Sequence, residues 1–218
     1  MKKLRIGILA SGGGSNLQSI IDRCQDGSVD AEIAVVICNN PGAGALDRAE
    51  QAGIAHLCID HRQFADRQYF DQSVVTALKD ANVELVILAG FMRIISGVFL
   101  KAFPQRIINI HPALLPAFPG LHVQKKALEY GARFSGCTVH FVDDGVDTGQ
   151  IIIQAVVPIL DNDTEESLSA RILEQEHKIY PQAIQLIAED RLRITGRRVL
   201  VNPPENPDLQ PIINPPLD

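Results

Sequence analysis

The sequence predicts an α/β protein with an open, mostly parallel, Rossmann-like sheet, helices on both faces and an antiparallel strand near its C-terminal part. Three observations predict it. Apolar runs of β-forming residues alternate with amphipathic helical stretches along the chain, the pattern of strand–helix–strand units. One of those runs, Leu85-Val86-Ile87-Leu88-Ala89, contains no polar residue, as a strand covered on both faces requires. The first strand meets three successive glycines and then a helical period, the local order that brings backbone N–H groups close to an anion. With 218 residues the chain has room for one domain with a sizeable core, expected over residues 1–200, followed by a proline-rich tail at 201–218.

Each element follows from local pattern. Arg5-Ile6-Gly7-Ile8-Leu9-Ala10 is the first strand. Ser11-Gly12-Gly13-Gly14-Ser15-Asn16 follows, then a helix with Leu17, Ile20, Ile21 and Cys24 on one face; Ser15 or Asn16 can cap it. The loop is not a dinucleotide fingerprint. Counted from Gly12, the third glycine of G-x-G-x-x-G falls on Leu17, and the second strand, 33–38, ends in Asn39-Asn40 without an acid for a ribose. No G-K-[ST] is present, so NAD and ATP are both disfavoured. Pro41-Gly42-Ala43-Gly44 turns into a helix that Gly53 stops, and residues 54–59 form a short strand. Residues 66–81 read as a helix with Phe70, Val74, Val75 and Leu78 inward.

The apolar run at 85–89 opens onto Gly90-Phe91-Met92-Arg93-Ile94-Ile95-Ser96, and a short helix leads to Phe103. Ile107-Ile108-Asn109-Ile110-His111 is a strand that Pro112 ends. A helix at 123–130 and a strand at 137–142 precede the acidic loop Asp143-Asp144-Gly145-Val146-Asp147-Thr148-Gly149. Residues 151–157 pair antiparallel, because the connection is short. Asp163 is expected to cap a long helix to about residue 189, bent near Pro181, with Leu168, Ile172, Ile179, Ile184 and Ile187 inward.

Composition narrows the function. A net charge of −6 argues against a nucleic-acid surface, which needs a basic patch. No run of about eighteen uncharged apolar residues suggests a membrane span, and the start does not read as a signal peptide. The four cysteines are scattered without a C-x-x-C, so no zinc site or disulfide framework is indicated. They are expected to be buried and reduced, in a cytoplasmic protein.

The chemistry gathers at His111. Side chains alternate along a strand, so Asn109 and His111 share a face at the end of a buried strand, where open α/β sheets place their sites. An imidazole and a carboxamide there offer two donors to one developing oxyanion. A carboxylate nearby raises an imidazole's pKa and favours its charged, donating form; Asp143, Asp144 and Asp147 all lie within reach of that role. No activated Ser or Cys stands in this stretch, which points to direct transfer without a covalent enzyme intermediate.

Ile108-Asn109-Ile110-His111-Pro112-Ala113-Leu114-Leu115-Pro116, with Pro119-Gly120 beyond, resembles the signature of the folate-dependent formyltransferases. Gly12-Gly13-Gly14-Ser15-Asn16, Leu88-Ala89-Gly90-Phe91-Met92-Arg93-Ile94 and Gln175-Glu176-His177-Lys178-Ile179-Tyr180-Pro181 resemble the branch that acts on 5'-phosphoribosylglycinamide (GAR). The match runs from Lys3 to about Arg193. The resemblance implies transfer of the formyl group of 10-formyltetrahydrofolate, as co-substrate and without a metal, to the primary amine of GAR in purine biosynthesis. It implies catalytic roles for Asn109, His111 and Asp147, with Asp147 raising the His111 pKa and aiding proton transfer. It places Gly14, Ser15 and Asn16 at the GAR phosphate and Glu176 at its ribose. Arg67, Met92, Arg93, Ile94, Ile95, Asp143 and Asp144 would line the folate side. Leu173, one turn before Glu176, is apolar where some relatives carry a polar contact. The partners implied are two small molecules, with neither nucleic acid nor membrane, in a monomer or homodimer. A formyltetrahydrofolate hydrolase or a formyltransferase acting on initiator tRNA would resemble the same motifs. The first usually carries a regulatory domain and the second a basic domain, for which this chain has no room.

Overall fold

In the computed structural model, residues 2–203 together with Ile212 and Asn214 are described, so most of the expected tail at 201–218 lies outside the described residues. The strands are β1 (Leu4–Ala10), β2 (Ala31–Cys38), β3 (His56–Cys58), β4 (Leu85–Leu88), β5 (Ile107–His111), β6 (Phe134–Phe141) and β7 (Ile151–Pro158). They form one sheet in the order β3-β2-β1-β4-β5-β6-β7. The pairs from β3 through β5 are parallel, whereas β6 runs antiparallel to β5 and β7 antiparallel to β6.

The helices are α1 (Ser15–Gln25), α2 (Gly44–Gln51), α3 (Arg67–Asp80), α4 (Gly97–Ala102), α5 (Val123–Tyr130) and α6 (Glu165–Ala188). Each strand's two sets of side chains feed different cores. Ile6, Ile8, Ile87, Ile108 and Ile110 pack with α1 and α6 through Leu17, Ile20, Ile172 and Ile184. Leu9, Val86, Leu88 and Ile107 pack on the opposite face with Phe70, Val74 and Leu78 of α3 and Phe99 of α4. Each such side chain, fully withdrawn from water, contributes about 1.5–3 kcal/mol. The expected inward residues of α3 and α6 are all buried.

Several local expectations are corrected. Asp163 does not cap α6: Thr164 does, its Oγ1 accepting from Ser167 N (3.2 Å) while Ser167 Oγ accepts from Thr164 N (3.0 Å). Asp163 is held instead by Arg171 (2.7 Å) and by Leu160 N (2.8 Å). Pro181, where a bend is expected, lies inside α6, which is one helix from Glu165 to Ala188. The third strand is shorter than expected because Ile54 N closes the end of α2 on Ala49 O (2.8 Å). Cys38 and Cys137 are buried, but Cys58 is exposed because β3 is an edge strand. A further hairpin, β8 (Leu192–Thr195) with β9 (Arg198–Val201), follows α6.

Tyr180 of α6 ties that helix to the sheet. It is fully buried, and its hydroxyl lies 3.0 Å from Leu88 O and 3.1 Å from Ile108 O, at the ends of β4 and β5.

Candidate active site

β5 carries Asn109 and His111 on the same face as the buried Ile107, one and two pleats farther along. Because β6 is antiparallel to β5, the chain leaves β6 beside Ile107, where Val142 N bonds Ile107 O (3.0 Å). The acidic loop must then fold back to reach His111. It does so with Asp147 in the left-handed region, φ 55°, and with Gly149 packed so closely on Phe141 O that no Cβ fits. Asp147 Oδ2 ends 3.4 Å from His111 Nδ1 and accepts from Gly120 N (2.9 Å).

His111 is 4% exposed, and its Nε2 donates to Phe118 O (2.9 Å). Both ring nitrogens therefore face acceptors, Phe118 O at Nε2 and Asp147 Oδ2 at Nδ1. Asp143 and Asp144 do not reach the histidine. Asp143 turns back on its own loop, accepting from Gly145 N (3.1 Å) and Thr148 Oγ1 (2.6 Å), and Asp144 is exposed.

The glycine loop lies between β1 and α1. Neither Ser15 nor Asn16 caps α1. The cap position is Gly14, at φ 74°, with no side-chain cap bond, which leaves the first-turn N–H groups of the helix without an internal acceptor. Gly14 is also where the loop touches α2: a Cβ there would sit 2.9 Å from Ala45 Cα. Arg48 Nε donates to Gly13 O (2.7 Å) and Ala45 N to Gly12 O (3.1 Å), so α2 fixes the loop from behind.

Asn16 and Glu176 meet across the α1–α6 contact, with Asn16 Nδ2 donating to Glu176 Oε2 at 2.7 Å. Glu176 is buried, and burial pushes its carboxyl above the usual 4.5, against the smaller opposing effect of the Asn16 bond. A carboxyl whose pKa is higher folded than unfolded stabilises most when protonated, and its contribution falls as pH rises above the unfolded value. Glu176→Gln keeps an acceptor for Asn16 and removes the charge. Its melting temperature is therefore expected to exceed that of the parent by a margin that widens above pH 4.5. Thermal unfolding across pH checks this; a constant margin would show that burial of the charge carries no cost.

The residues expected on the folate side sit on the loop after β4 and at the start of α3. Met92 (71% exposed) and Ile94 (62%) project into solvent, Ile95 is half-buried, and Arg67 is exposed at the first position of α3. Arg93 lies with its guanidinium 5.0 Å from the Phe70 ring centre, holding this loop against α3. Among the described residues no cluster of three or more His, Cys, Asp or Glu is placed to hold a metal ion, and no helix is long and apolar enough to cross a membrane.

Two residues of the site were missed in the sequence. Ser11 joins the glycine loop to the loop after β4: its N donates to Gly90 O (3.1 Å), and its Oγ accepts from Met92 N (2.8 Å) while donating to Asn39 Oδ1 (2.6 Å). His140 of β6 lies directly across from Asn109, with its Nε2 3.3 Å from Asn109 Nδ2 and 3.7 Å from Asp147 Oδ1. It is 2% exposed, and burial holds its pKa below 6.5. The signal was its odd place as a histidine in an apolar strand; finding it needed the β5–β6 register.

The comparisons with known proteins give the family of the chain and the fold it shares. The family model described as Formyl transferase matches residues 4–184. Glycinamide ribonucleotide transformylase 1 from Symbiobacterium toebii superposes with a TM-score of 0.91 at 52% identity, over 92% of this chain and 94% of that one. Phosphoribosylglycinamide formyltransferase of Escherichia coli is 42% identical over 88% of this chain and 90% of its own length. The trifunctional purine biosynthetic protein adenosine-3 of Drosophila melanogaster is 51% identical over 85% of this chain, which spans 14% of that protein's length. The folded-back aspartate, the paired Asn109 and His111 and the glycine loop thus sit on a shared scaffold: the chain belongs to the formyl transferase family.

Proposed function

We propose that the chain transfers the formyl group of 10-formyltetrahydrofolate to the primary amine of GAR, a step of purine biosynthesis. The observation that carries this reading is the convergence of Asn109, His111 and Asp147 on one sheet face at the end of β5, beside a glycine loop with unpaired helix amides. The relatives named for GAR formyl transfer support the choice of substrate.

The residues present suit both substrates. The first-turn amides of α1 and the exposed Gly12 and Gly13 offer a cradle for a phosphate, with Glu176 behind it for a ribose hydroxyl. Met92, Ile94 and Val146 expose apolar surface that a fused ring system would cover, and Arg67 offers a cation to the acidic tail of a folate.

10-Formyltetrahydrofolate supplies the activated formyl carbon when bound. Negative charge developing on its carbonyl oxygen meets an N–H of Asn109 and the Nε2–H of His111, which exchanges Phe118 O for the substrate oxygen. The amine nitrogen bonds to the formyl carbon. Asp147, 3.4 Å from His111 Nδ1, holds that ring in its donating orientation and accepts, through a water, the proton that leaves the amine. When the bond from the formyl carbon to the folate's N10 breaks, that proton passes to N10. The proposed reaction needs no metal.

The direct test offers 10-formyltetrahydrofolate with GAR, with initiator tRNA, or with water alone, and follows loss of the formyl donor. Turnover with GAR is expected; turnover only with tRNA or water would overturn the reading. The phosphate cradle has its own test at Gly13, not Gly14. A Cβ on Gly13 meets nothing within 4 Å, so Gly13→Val is expected to fold and to fill the space proposed for the anion. Its KM for GAR is expected to rise about 10- to 100-fold, the loss of one or two bonds to a charged group. The KM for the folate should stay the same. A folded Gly13→Val with an unchanged KM for GAR removes the phosphate from this loop.

A further inference from the structure

Asn109 presents a difficulty that the catalytic reading leaves open. A carboxamide has a donor edge and an acceptor edge of nearly equal size, and only the donor edge stabilises an oxyanion. Something must choose between them. The cross-strand neighbour His140 has the chemistry to do so. Its Nδ1 lies 2.8 Å from Phe141 O, an acceptor only, so Nδ1 carries the ring proton. The alternative partner, Asp147 Oδ1, is 3.7 Å from Nε2, beyond hydrogen-bond range. A neutral ring has one N–H, and the shorter contact takes it. Nε2 is then a bare acceptor, 3.3 Å from the Asn109 carboxamide. With Oδ1 turned toward it, two lone pairs would face each other in a buried site; with Nδ2 turned toward it, a hydrogen bond forms.

We propose that His140 is a positioning residue that locks the Asn109 carboxamide with Nδ2 against the imidazole, so that the second N–H of the same nitrogen is aimed at the reacting carbonyl oxygen. This inference rests on the formyl-transfer reading and assigns His140 a part in it distinct from those of His111 and Asp147. Burial supports it by opposing the cationic ring, which would carry a proton on Nε2 and turn the carboxamide over. The charged and titratable groups acting on His140 are Asp147, His111 and Asp143. Asp147 and Asp143 favour the cation, His111 opposes it, and burial outweighs them all.

The first measurement needs no variant. Nitrogen and carbon NMR shifts of His140 in the intact protein report its tautomer near neutral pH: the neutral Nδ1–H form is expected, and an Nε2–H or doubly protonated ring overturns the proposal. Kinetics give the second. His140→Phe keeps a ring but removes the acceptor, and should lower kcat about 10- to 100-fold, the scale of a misplaced catalytic group. KM for both substrates should stay the same. His140→Gln, whose Oε1 accepts where Nε2 did, should recover most of that loss, which a merely space-filling role would not allow. In an Asn109→Ala background His140→Phe should cost less than about threefold, because its partner is gone. An equal loss in both backgrounds would overturn the proposal. Should His140→Phe not fold, the tautomer and the Gln variant still decide. Wild-type turnover with GAR tests the formyl-transfer reading separately, so failure of one is distinguishable from failure of the other.

Discussion

His111→Ala is expected to lower kcat by about 10³-fold, with KM for GAR and the folate little changed. One oxyanion donor is worth about 10²–10³ in kcat, and the buried ring, with an acceptor at each nitrogen, stands at the upper end. Without substrate the ring is held between Phe118 O and Asp147 Oδ2, and the Asp147 contact remains when Nε2–H turns to the substrate. Asp147→Asn should also be slow, because its amide oxygen can still accept from Nδ1–H but the side chain carries no charge and cannot take up a proton. If Asp147 acts mainly through His111, the double variant should lose much less than the product of the two single losses. Steady-state kinetics on the four proteins measure this. Fully multiplicative losses would mean that the two residues work independently and that the 3.4 Å contact has no catalytic weight.

Asn109→Ala is expected to lower kcat by about 10²–10³-fold, the cost of one neutral donor. Asn109 is only half-buried and, among the described residues, its side chain bonds His140 alone, so truncation leaves that buried acceptor unsatisfied and the sheet intact. Ground-state binding should survive. A loss seen in KM with kcat preserved would show that Asn109 holds substrate and does not stabilise charge.

The strand period made the pairing of Asn109 and His111 legible, because alternation is a local property and Pro112 marks the strand's end. The three aspartates were not separable in the same way. Asp147 is selected by a backbone reversal at positive φ that returns the chain along β5, while Asp143 spends its carboxylate on Thr148 within the loop. His140 was hidden for a related reason: its value lies in an antiparallel register with Asn109, a relation between segments 31 residues apart. Thr164 displaced Asp163 as the α6 cap because Arg171, eight residues on, claims the aspartate. The hairpin β8–β9 had a readable signal, alternating Leu192 and Ile194 facing Val199 and Val201 around Gly196, and that signal went unused.

The Tyr180 hydroxyl gives the molecule a fixed gauge. It touches Leu88 O and Ile108 O, the carbonyls from which the loop after β4 and the Asn109–His111 pair set out, while Glu176 sits one turn earlier on the same helix. Helix α6 therefore cannot slide along the sheet without breaking a buried phenol's bonds. Glu176, one turn along, is thereby kept in register with the strand ends. A change on the outer surface of α6 leaves this anchor in place, whereas loss of the Tyr180 hydroxyl would free the helix from both strand carbonyls at once.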